Sequence, residues 1–221
     1  MIKEKDIILI NYVAYDQSGN VFDTTSRELA KHLKIFNNKK LYEPAAMIVG
    51  EFQIVKGLDK DVIGKELGYE GSVVIPPKWA FGEYDEKLNE VLPIQIFSKK
   101  PKIDEVVMIE GRMGFVRGVL GNRVKVDFNH YLADQTLKYD YQIVHVAQDE
   151  NQKLALVCKS ILEFNISTKI ENNTAIIDAP IGVIKDINIW NGVKQVIMRH
   201  IFNVAKVDFV YFLEKYRRPL E

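Results

Sequence analysis

The chain has 221 residues, of which 47% are hydrophobic, and its 30 Lys and Arg residues balance 30 Asp and Glu residues to a formal net charge of zero. Each segment defined below lies within one charge of neutrality, which argues against a nucleic-acid binder or a basic membrane-surface protein, because both concentrate Lys and Arg. The apolar content indicates a soluble globular protein of one to three small domains and argues against disorder.

The first part of the chain predicts strands interrupted by a short helix. Residues 7–15 read as a strand, and a turn at Asp16–Asn20 leads into a second strand. The spacing of Leu and Phe residues over 26–36 predicts a short helix with Ser26 as its N-cap. A further strand is predicted to end at Val49.

Glycines indicate turns in the next part of the chain. A helix is predicted over 57–63, and Gly64, Gly68 and Gly71 follow it. The β-branched run SVVIPP then predicts another strand, because such side chains fit a pleated sheet surface. Together these elements indicate a strand, short helix, strand arrangement.

The segment 84–128 predicts a self-contained β module. Its short alternating strands are IQIF, VVMIEG, GFVRGVL and NRVKVDF, with a hairpin turn at Gly121–Asn122. Residues 136–146 then alternate as one more strand, which is long enough to return to the first part of the chain.

The segment 149–221 predicts an α-β-β-α-β domain. Its elements are predicted in the order helix over 151–164, hairpin around Glu171–Asn173, helix over 192–205 and strand over 207–213. The candidate linker to this domain is Gln148–Asn151.

Cysteine and histidine usage argues against a metal or cofactor site. Cys158 is the only cysteine, which excludes an intramolecular disulfide and predicts a small buried hydrophobe. No metal and no cofactor is expected, because the histidines lack the spacing of a zinc site; they are His32, His130, His145 and His200. The apolar run near the N-terminus is too short for a signal peptide or a membrane span, so a cytoplasmic location is expected.

The stretch IPPKWAFGEYDE, at 75–86, is the most unusual feature of the sequence. It places Trp79, Phe81 and Tyr84 around Gly82, directly after two prolines. Large aromatic side chains on a turn either pack into the core or line a cleft, and the residues alone leave both interpretations open.

The stretch from Val49 to Gly71, together with the aromatic turn, resembles the FKBP family of peptidyl-prolyl cis/trans isomerases. The residues that match the family pattern are Gly50, Ile54–Val55, Lys56–Gly57 and Trp79–Ala80–Phe81–Gly82. The residues at the positions of the family's pocket tyrosine, its Phe-Asp pair and its last pocket aromatic are Tyr12, Phe22–Asp23 and Tyr139. The resemblance covers about 1–83 and 129–147.

The resemblance implies an α+β fold in which an antiparallel sheet wraps on a short helix. It implies a discontinuous isomerase domain over 1–83 and 129–148, with 84–128 inserted as the insert-in-flap chaperone domain of SlyD-like FKBPs. The segment 149–221 is similar to the extension of long archaeal members, which implies client binding or a homodimer through this C-terminal domain.

The resemblance also implies site residues. They are a catalytic set of Tyr12, Phe22, Asp23, Phe81 and Tyr139, a substrate-binding set of Met47, Ile54, Val55, Leu58, Trp79 and Leu132, and a chaperone surface of Met108, Met113 and Phe115. Asp23 is expected to orient groups near the twisting amide, with a turn carboxylate as the alternative. The alternative for the chaperone surface is the small core of the insert.

Two residues depart from the pattern of the single-domain, drug-binding FKBPs. Leu58 replaces their pocket tryptophan, and Ala45 stands where they have an aromatic residue; both differences are typical of the SlyD-like branch. We therefore expect tight macrolide binding to be weakened more than isomerase activity.

The sequence thus predicts a peptidyl-prolyl isomerase with holdase activity, whose partners are unfolded or proline-containing polypeptides rather than nucleic acid or membrane. The alternative is a non-catalytic FKBP-like module for client binding or assembly. A third hypothesis, a structural or ribosome-docked assembly factor, depends on the C-terminal domain, whose last helix is apolar on more than one side through Met198 and Phe202.

Overall fold

The computed structural model describes residues 1–179 and 187–214. The chain forms two compact units, one made of Met1–Ile75 with Leu137–Glu221 and the other of Pro76–Thr136. Mixed helices and largely antiparallel sheets confirm the α+β class.

The elements follow the chain in an order close to the predicted one. The strands within the described residues are β1 Ile7–Tyr15, β2 Val21–Thr24, β3 Ala45–Ile48, β4 Glu70–Ile75, β5 Asn89–Pro93, β6 Val106–Ile109, β7 Arg112–Leu120, β8 Arg123–Asp127, β9 Leu137–Val146, β10 Ser167–Glu171, β11 Thr174–Ala179 and β12 Phe209–Glu214. The helices there are α1 Arg27–His32, α2 Lys56–Val62, α3 Glu150–Leu162 and α4 Ile187–Val204. None of the helices in the described part of the chain has the length and apolar character needed to cross a membrane.

A five-stranded sheet is the centre of the first unit. β1 pairs with β9 along one edge, and β2 and β3 pair with its other edge, all antiparallel, while β4 pairs with the far side of β9. Alternate side chains of β1 are buried on one face, as the period of a strand requires; they are Ile8, Ile10, Tyr12 and Ala14. The predicted return of 136–146 to the first part of the chain is confirmed.

α2 packs closely on β4 because a glycine lies at the contact. A Cβ atom at Gly57 would lie only 2.4 Å from Cγ2 of Ile75, so a larger residue would force the helix and the strand apart. Leu58 and Val62 of this helix are fully buried, which makes α2 the covering element for that part of the sheet.

α1 is shorter than predicted, although its start is as expected. Ser26 accepts a hydrogen bond from the amide of Leu29 and caps the helix. The helix ends at His32, and Lys34 has a left-handed φ of 60°. Phe36, predicted to be in the helix, instead stacks on Tyr42 with ring centroids 5.2 Å apart.

The predicted α-β-β-α-β order of the C-terminal segment is confirmed within the described residues. β10, β11 and β12 form a sheet in which β12 runs parallel to β11. The candidate linker at Gln148–Asn151 is wrong, because Asp149 caps a helix that already begins at Glu150. α3 and α4 share one hydrophobic core with Ile7 of β1 and Ile48 of β3, so this segment packs directly on the central sheet.

The second unit contains a four-stranded antiparallel sheet in the order β5-β8-β7-β6. Its core is formed by Val116, Val124 and Val126 with partly buried neighbours. The strand predicted at IQIF is wrong: residues 94–96 form a short 3-10 turn, and the strand lies earlier, at 89–93. The strand ends there because its partner β8 begins only at Arg123, which lies opposite Pro93 and directly follows the turn at Gly121–Asn122.

Candidate functional site

Three aromatic residues from adjacent strands form a cluster in the first unit. Tyr139 of β9 lies opposite Ala14 of β1, beside Tyr12. The ring centroids of Tyr12 and Tyr139 are 5.6 Å apart, and those of Phe22 and Tyr139 are 6.2 Å apart in an edge-to-face arrangement. Tyr12 and Tyr139 are buried and Phe22 is half-buried. The structure thus brings together three residues that are far apart in the sequence.

Asp23 lies next to this cluster and is held by several donors. The Tyr12 hydroxyl donates to Oδ2 of Asp23 at 2.7 Å, and the amide of Thr24 donates to Oδ1 at 2.8 Å. The ammonium group of Lys40 forms an ion pair with the same carboxylate. Burial, reinforced by the Asp23 carboxylate, raises the pKa of the Tyr12 hydroxyl far above its usual range. The hydroxyl therefore remains a neutral hydrogen-bond donor at physiological pH.

Lys40 is a residue of this site that sequence reasoning missed. Besides its ion pair with Asp23, its ammonium group lies 5.6 Å from the ring centroid of Tyr12 and 5.8 Å from that of Tyr42. Cations are attracted to aromatic faces at such distances. The only signal in the sequence is a lysine pair between the aromatic residues Phe36 and Tyr42, which is too common a pattern to have identified the site.

The predicted substrate-binding residues of the first unit lie mostly in its core. Met47 in β3 and Leu58 in α2 are fully buried, and Val55, at the start of α2, is 3% exposed. Ile54 is partly exposed. These positions are compatible with the floor of an apolar pocket, but their contact with substrate remains a prediction.

The loop from Gly50 to Val55 joins β3 to α2 and has an unusual backbone. Gly50 and Phe52 have left-handed φ angles of 97° and 54°. The Asp59 carboxylate of α2 holds this shape, because it accepts the amides of Gly50 at 2.7 Å and of Phe52 at 2.9 Å. Within the described residues, the amides of Ile54 and Val55 donate to no main-chain carbonyl.

The aromatic turn belongs to the second unit. Phe81 stacks on His130, with ring centroids 4.0 Å apart, and Nδ1 of His130 accepts the amide of Leu132 at 3.2 Å. Trp79 ends a short 3-10 turn that begins at Pro77. The role of Trp79, Phe81 and Leu132 in the pocket stays a prediction.

The predicted chaperone residues share one face of the second unit's sheet. Met108 pairs with Met113 across β6 and β7, and Val106 pairs with Phe115. Met108 is 68% exposed and Met113 is 46% exposed. None of Met108, Met113 and Phe115 is part of the described valine core of this sheet. The two methionines are exposed, whereas Phe115 is half-buried and has the Arg117 guanidinium 5.4 Å from its ring centroid.

The described residues offer no metal centre and no activated thiol. Across 1–179 and 187–214, no three His, Cys, Asp or Glu side chains lie close enough to hold a metal ion. Cys158 is fully buried, and burial raises the pKa of its thiol to about 12. Thiolates and not thiols are nucleophilic, so Cys158 is the buried hydrophobe that the sequence predicts.

Comparison with known proteins connects this geometry to a family. A model of FKBP-type peptidyl-prolyl cis-trans isomerases matches residues 1–100, and a model of the FKBP26 IF domain matches residues 90–132. The chain is 32% identical over 155 residues to a short-type peptidyl-prolyl cis-trans isomerase of Methanocaldococcus jannaschii, and the match covers 69% of this chain and 98% of that protein.

Two bacterial relatives and a plant structure are also similar. SlyD of Aeromonas hydrophila is 28% identical over 67% of this chain and 66% of its own length. The 16 kDa FKBP-type isomerase of Escherichia coli is 28% identical over 66% of this chain and 93% of its own length. The crystal structure of the three FKBP domains of wheat FKBP73 aligns with 66% of this chain and 40% of its own length, at 16% identity and a TM-score of 0.35. That score is too low to bear on the fold.

The match to the Methanocaldococcus jannaschii enzyme spans almost all of that protein. The FKBP model covers the strands that carry Tyr12, Phe22 and Asp23 and the loop from Gly50 to Val55. The chain therefore belongs to the FKBP-type family and is a peptidyl-prolyl cis-trans isomerase.

Proposed function

We propose that this isomerase accelerates Xaa-Pro rotation in an apolar pocket built around Tyr12, Phe22 and Tyr139, without covalent chemistry. The observation that carries the proposal is the buried aromatic cluster with a neutral Tyr12 hydroxyl, whose partner Asp23 is neutralised by Lys40. Such a site has low polarity, because the Tyr12 hydroxyl proton is donated to Asp23 and the Asp23 carboxylate is ion-paired with Lys40.

The physical basis is the difference in polarity between planar and twisted amides. Rotation must break the amide resonance, which sets a barrier of about 18–20 kcal/mol. The planar amide is the more charge-separated form and is well solvated by water. A pocket that excludes water therefore favours the twisted form, and binding energy realised in the transition state raises the rate.

Asp23 has a positioning role in this proposal. Its carboxylate accepts the Tyr12 hydroxyl and the Thr24 amide and is ion-paired with Lys40, so little of its charge is free to act on substrate. In this proposal Asp23 serves both as a turn carboxylate, which accepts the Thr24 amide, and as an orienting group, which holds the Tyr12 hydroxyl.

A protease-coupled assay on Xaa-Pro peptides tests the pocket. Tyr12→Phe removes the donor to Asp23 and should lower kcat/KM several-fold, because about one charge-assisted hydrogen bond is lost. Tyr15→Phe is the matched control, since Tyr15 is a partly exposed tyrosine on the same strand, and it should keep the wild-type rate. Equal rates for both variants would contradict the proposed pocket. No acceleration by the wild-type chain, with aggregation still suppressed, would instead favour the non-catalytic module.

We also propose that 84–128 is an insert-in-flap chaperone domain, that 1–83 with 129–148 is the isomerase domain, and that 149–221 is a C-terminal domain of the long archaeal type. The support for a client surface is the exposed pair Met108 and Met113, because flexible thioether side chains adapt to varied apolar segments. A tethered second site raises the effective concentration of proline segments near the pocket.

The insert is tested by comparing peptide and protein substrates. Replacing 84–128 with a short loop should leave the isomerisation of small peptides largely intact but slow the catalysed refolding of a proline-limited protein strongly. Because buried Asn129 is hydrogen-bonded to Asp85 and Asp127, the deletion should carry Asn129→Ser to avoid an unpaired amide.

A point variant makes the same test without a deletion. Met108→Ser with Met113→Ser should weaken refolding catalysis alone. Leu67→Ser is the control, because Leu67 is 58% exposed but lies in the other unit. Equal losses with peptides and with proteins would contradict this division of labour.

The homodimer and the cytoplasmic location are further parts of the proposal. The predicted surface on α4 is only partly exposed at Met198 and 52% exposed at Phe202. A better-supported surface is the outward face of the edge strand β12, which carries Phe209, Tyr211 and Leu213, each at least 50% exposed. Light scattering of the full chain should give twice the monomer mass, and the Tyr211→Lys variant should give the mass of a single monomer. A monomer mass for the wild-type chain would overturn the proposed dimer.

A further inference from the structure

The loop from Gly50 to Val55 is held on two sides by different parts of the chain. On its inner side, both carboxylate oxygens of Asp59 accept loop amides, as described above. This contact comes from α2, the helix that follows the loop directly. Loops of this kind, which are held by one local contact, are usually among the more mobile parts of a protein.

On its outer side, the loop is held by α3 through Gln53. The side-chain Oε1 of Gln53 accepts a hydrogen bond from the main-chain amide of Ile48 at 2.7 Å, and Nε2 of Gln53 donates to Oγ of Ser160 at 3.1 Å. The Ser160 hydroxyl in turn donates to the carbonyl of Val157 at 2.9 Å. Because the hydroxyl proton is used toward Val157, the Ser160 oxygen is oriented to accept from Gln53, and the side-chain amide is fixed at both ends.

α4 contacts the same loop at Glu51. Oε1 of Glu51 accepts Nδ2 of Asn203 at 3.4 Å and lies 3.8 Å from Nδ1 of the buried His200. Ile48, the last residue of β3 before the loop, is part of the core that contains residues of α3 and α4. The loop is therefore contacted by α2, α3 and α4 together.

We propose that α3 and α4 brace the loop from Gly50 to Val55, and that Ser160 is a positioning residue for isomerisation although it lies in the C-terminal segment. The proposal rests on the proposed pocket, because this loop carries Ile54 and Val55, two of the predicted substrate-binding residues. A loop fixed before substrate arrives loses less conformational entropy on binding, and small displacements of positioning groups cost rate. The C-terminal segment would then contribute to catalysis through the loop, without touching the substrate.

The test uses three variants of the full chain. Ser160→Ala removes the acceptor of Gln53, and Ser160→Thr keeps it. Asn151→Ala is the matched control, since Asn151 also lies on α3 and accepts a main-chain amide, that of Ile170 at 2.8 Å, away from the loop. Hydrogen exchange of the amides of residues 50–55 reports the brace, and kcat and KM for an Xaa-Pro peptide report the catalytic effect.

Ser160→Ala should speed hydrogen exchange in residues 50–55 and lower kcat/KM by about two- to tenfold, mainly through KM, as expected for one lost hydrogen bond. Ser160→Thr should restore both values, and Asn151→Ala should change neither. Faster exchange with unchanged kcat/KM would overturn the catalytic role of the brace. Unchanged exchange would overturn the brace itself. Failure of the pocket is a separate result, because it appears in Tyr12→Phe and not in the exchange of the loop.

Discussion

The contact between α2 and β4 gives the sharpest test of how this fold holds its pocket. Gly57 lies in the first turn of α2, directly before the buried Leu58. Alanine is the better helix former by about 1 kcal/mol, so Gly57→Ala should stabilise the chain if local propensity decided the outcome. The surroundings of Gly57 oppose this gain.

The cost follows from the distances at this site. A new Cβ would lie 2.4 Å from Cγ2, 2.9 Å from Cγ1 and 3.1 Å from Cβ of Ile75, whereas carbon atoms normally pack at about 3.5–4.0 Å. Ile75 is 1% exposed and its β-branched side chain has little rotamer freedom. Relief therefore requires α2 and β4 to separate by about 1 Å, and overpacking of this kind costs about 1–3 kcal/mol. We expect the upper part of that range, and hence a net destabilisation of about 1–2 kcal/mol.

Gly192→Ala is the matched control, because Gly192 lies inside α4 and a Cβ there would meet nothing within 4 Å. That variant should gain about 0.4–1 kcal/mol. Urea unfolding followed by circular dichroism should thus move the two variants in opposite directions. Gly57→Ala should also lower kcat/KM, since the displaced helix carries Leu58.

A double-mutant cycle separates the clash from other causes. Ile75→Ala removes both γ carbons, so its combination with Gly57→Ala should cost less than the sum of the single changes. Ile75→Val keeps both γ carbons and should give no such relief. If Gly57→Ala were as stable as Gly192→Ala, the steric reasoning would be refuted.

Two more changes test other parts of the structure. Burial lowers the pKa of His200 in the folded chain, with Glu51 opposing the shift, so the unfolded chain binds the proton more readily. The contribution of His200 to the free energy of unfolding is therefore fully present above the ordinary pKa of about 6.5 and is lost as the pH falls through that value. His200→Gln should flatten the fall in the urea midpoint between about pH 7 and pH 5, and an unchanged slope would contradict this assignment. Asp149→Ala removes the side chain that accepts the amide of Gln152 at 2.8 Å and should cost about 1 kcal/mol in urea unfolding; a neutral result would show that the cap contributes nothing.

The strands and helices were largely predictable because their patterns are local. The alternation of 7–15 and of 136–146 requires only the sequence itself, and both segments are strands. The error at IQIF has a physical cause, since an apolar run alone does not show that the partner strand begins only at Arg123, opposite Pro93. The sequence also did not show how early α1 ends. Phe36 fits the helical spacing, but in the structure it lies beyond the helix and stacks on Tyr42.

The site was predictable only where a motif identified it. Tyr12, Phe22, Asp23 and Tyr139 matched a family pattern, and the structure places them close together. Lys40 had no motif, because its contact with Asp23 depends on how the chain between α1 and β3 returns over the sheet. Long-range pairing of this kind is decided by tertiary packing and cannot be derived from composition or spacing.

The pairing of β1 with β9 has a consequence for synthesis of the chain. Residues 8–15 are made well before their antiparallel partners, residues 138–146. Contacts between distant parts of a chain form slowly, and an apolar strand is prone to aggregate until its partner strand has been made. The sheet of the second unit, which spans 89–127, can form before 138–146 leave the ribosome, so we expect it to fold before the five-stranded sheet of the first unit is complete.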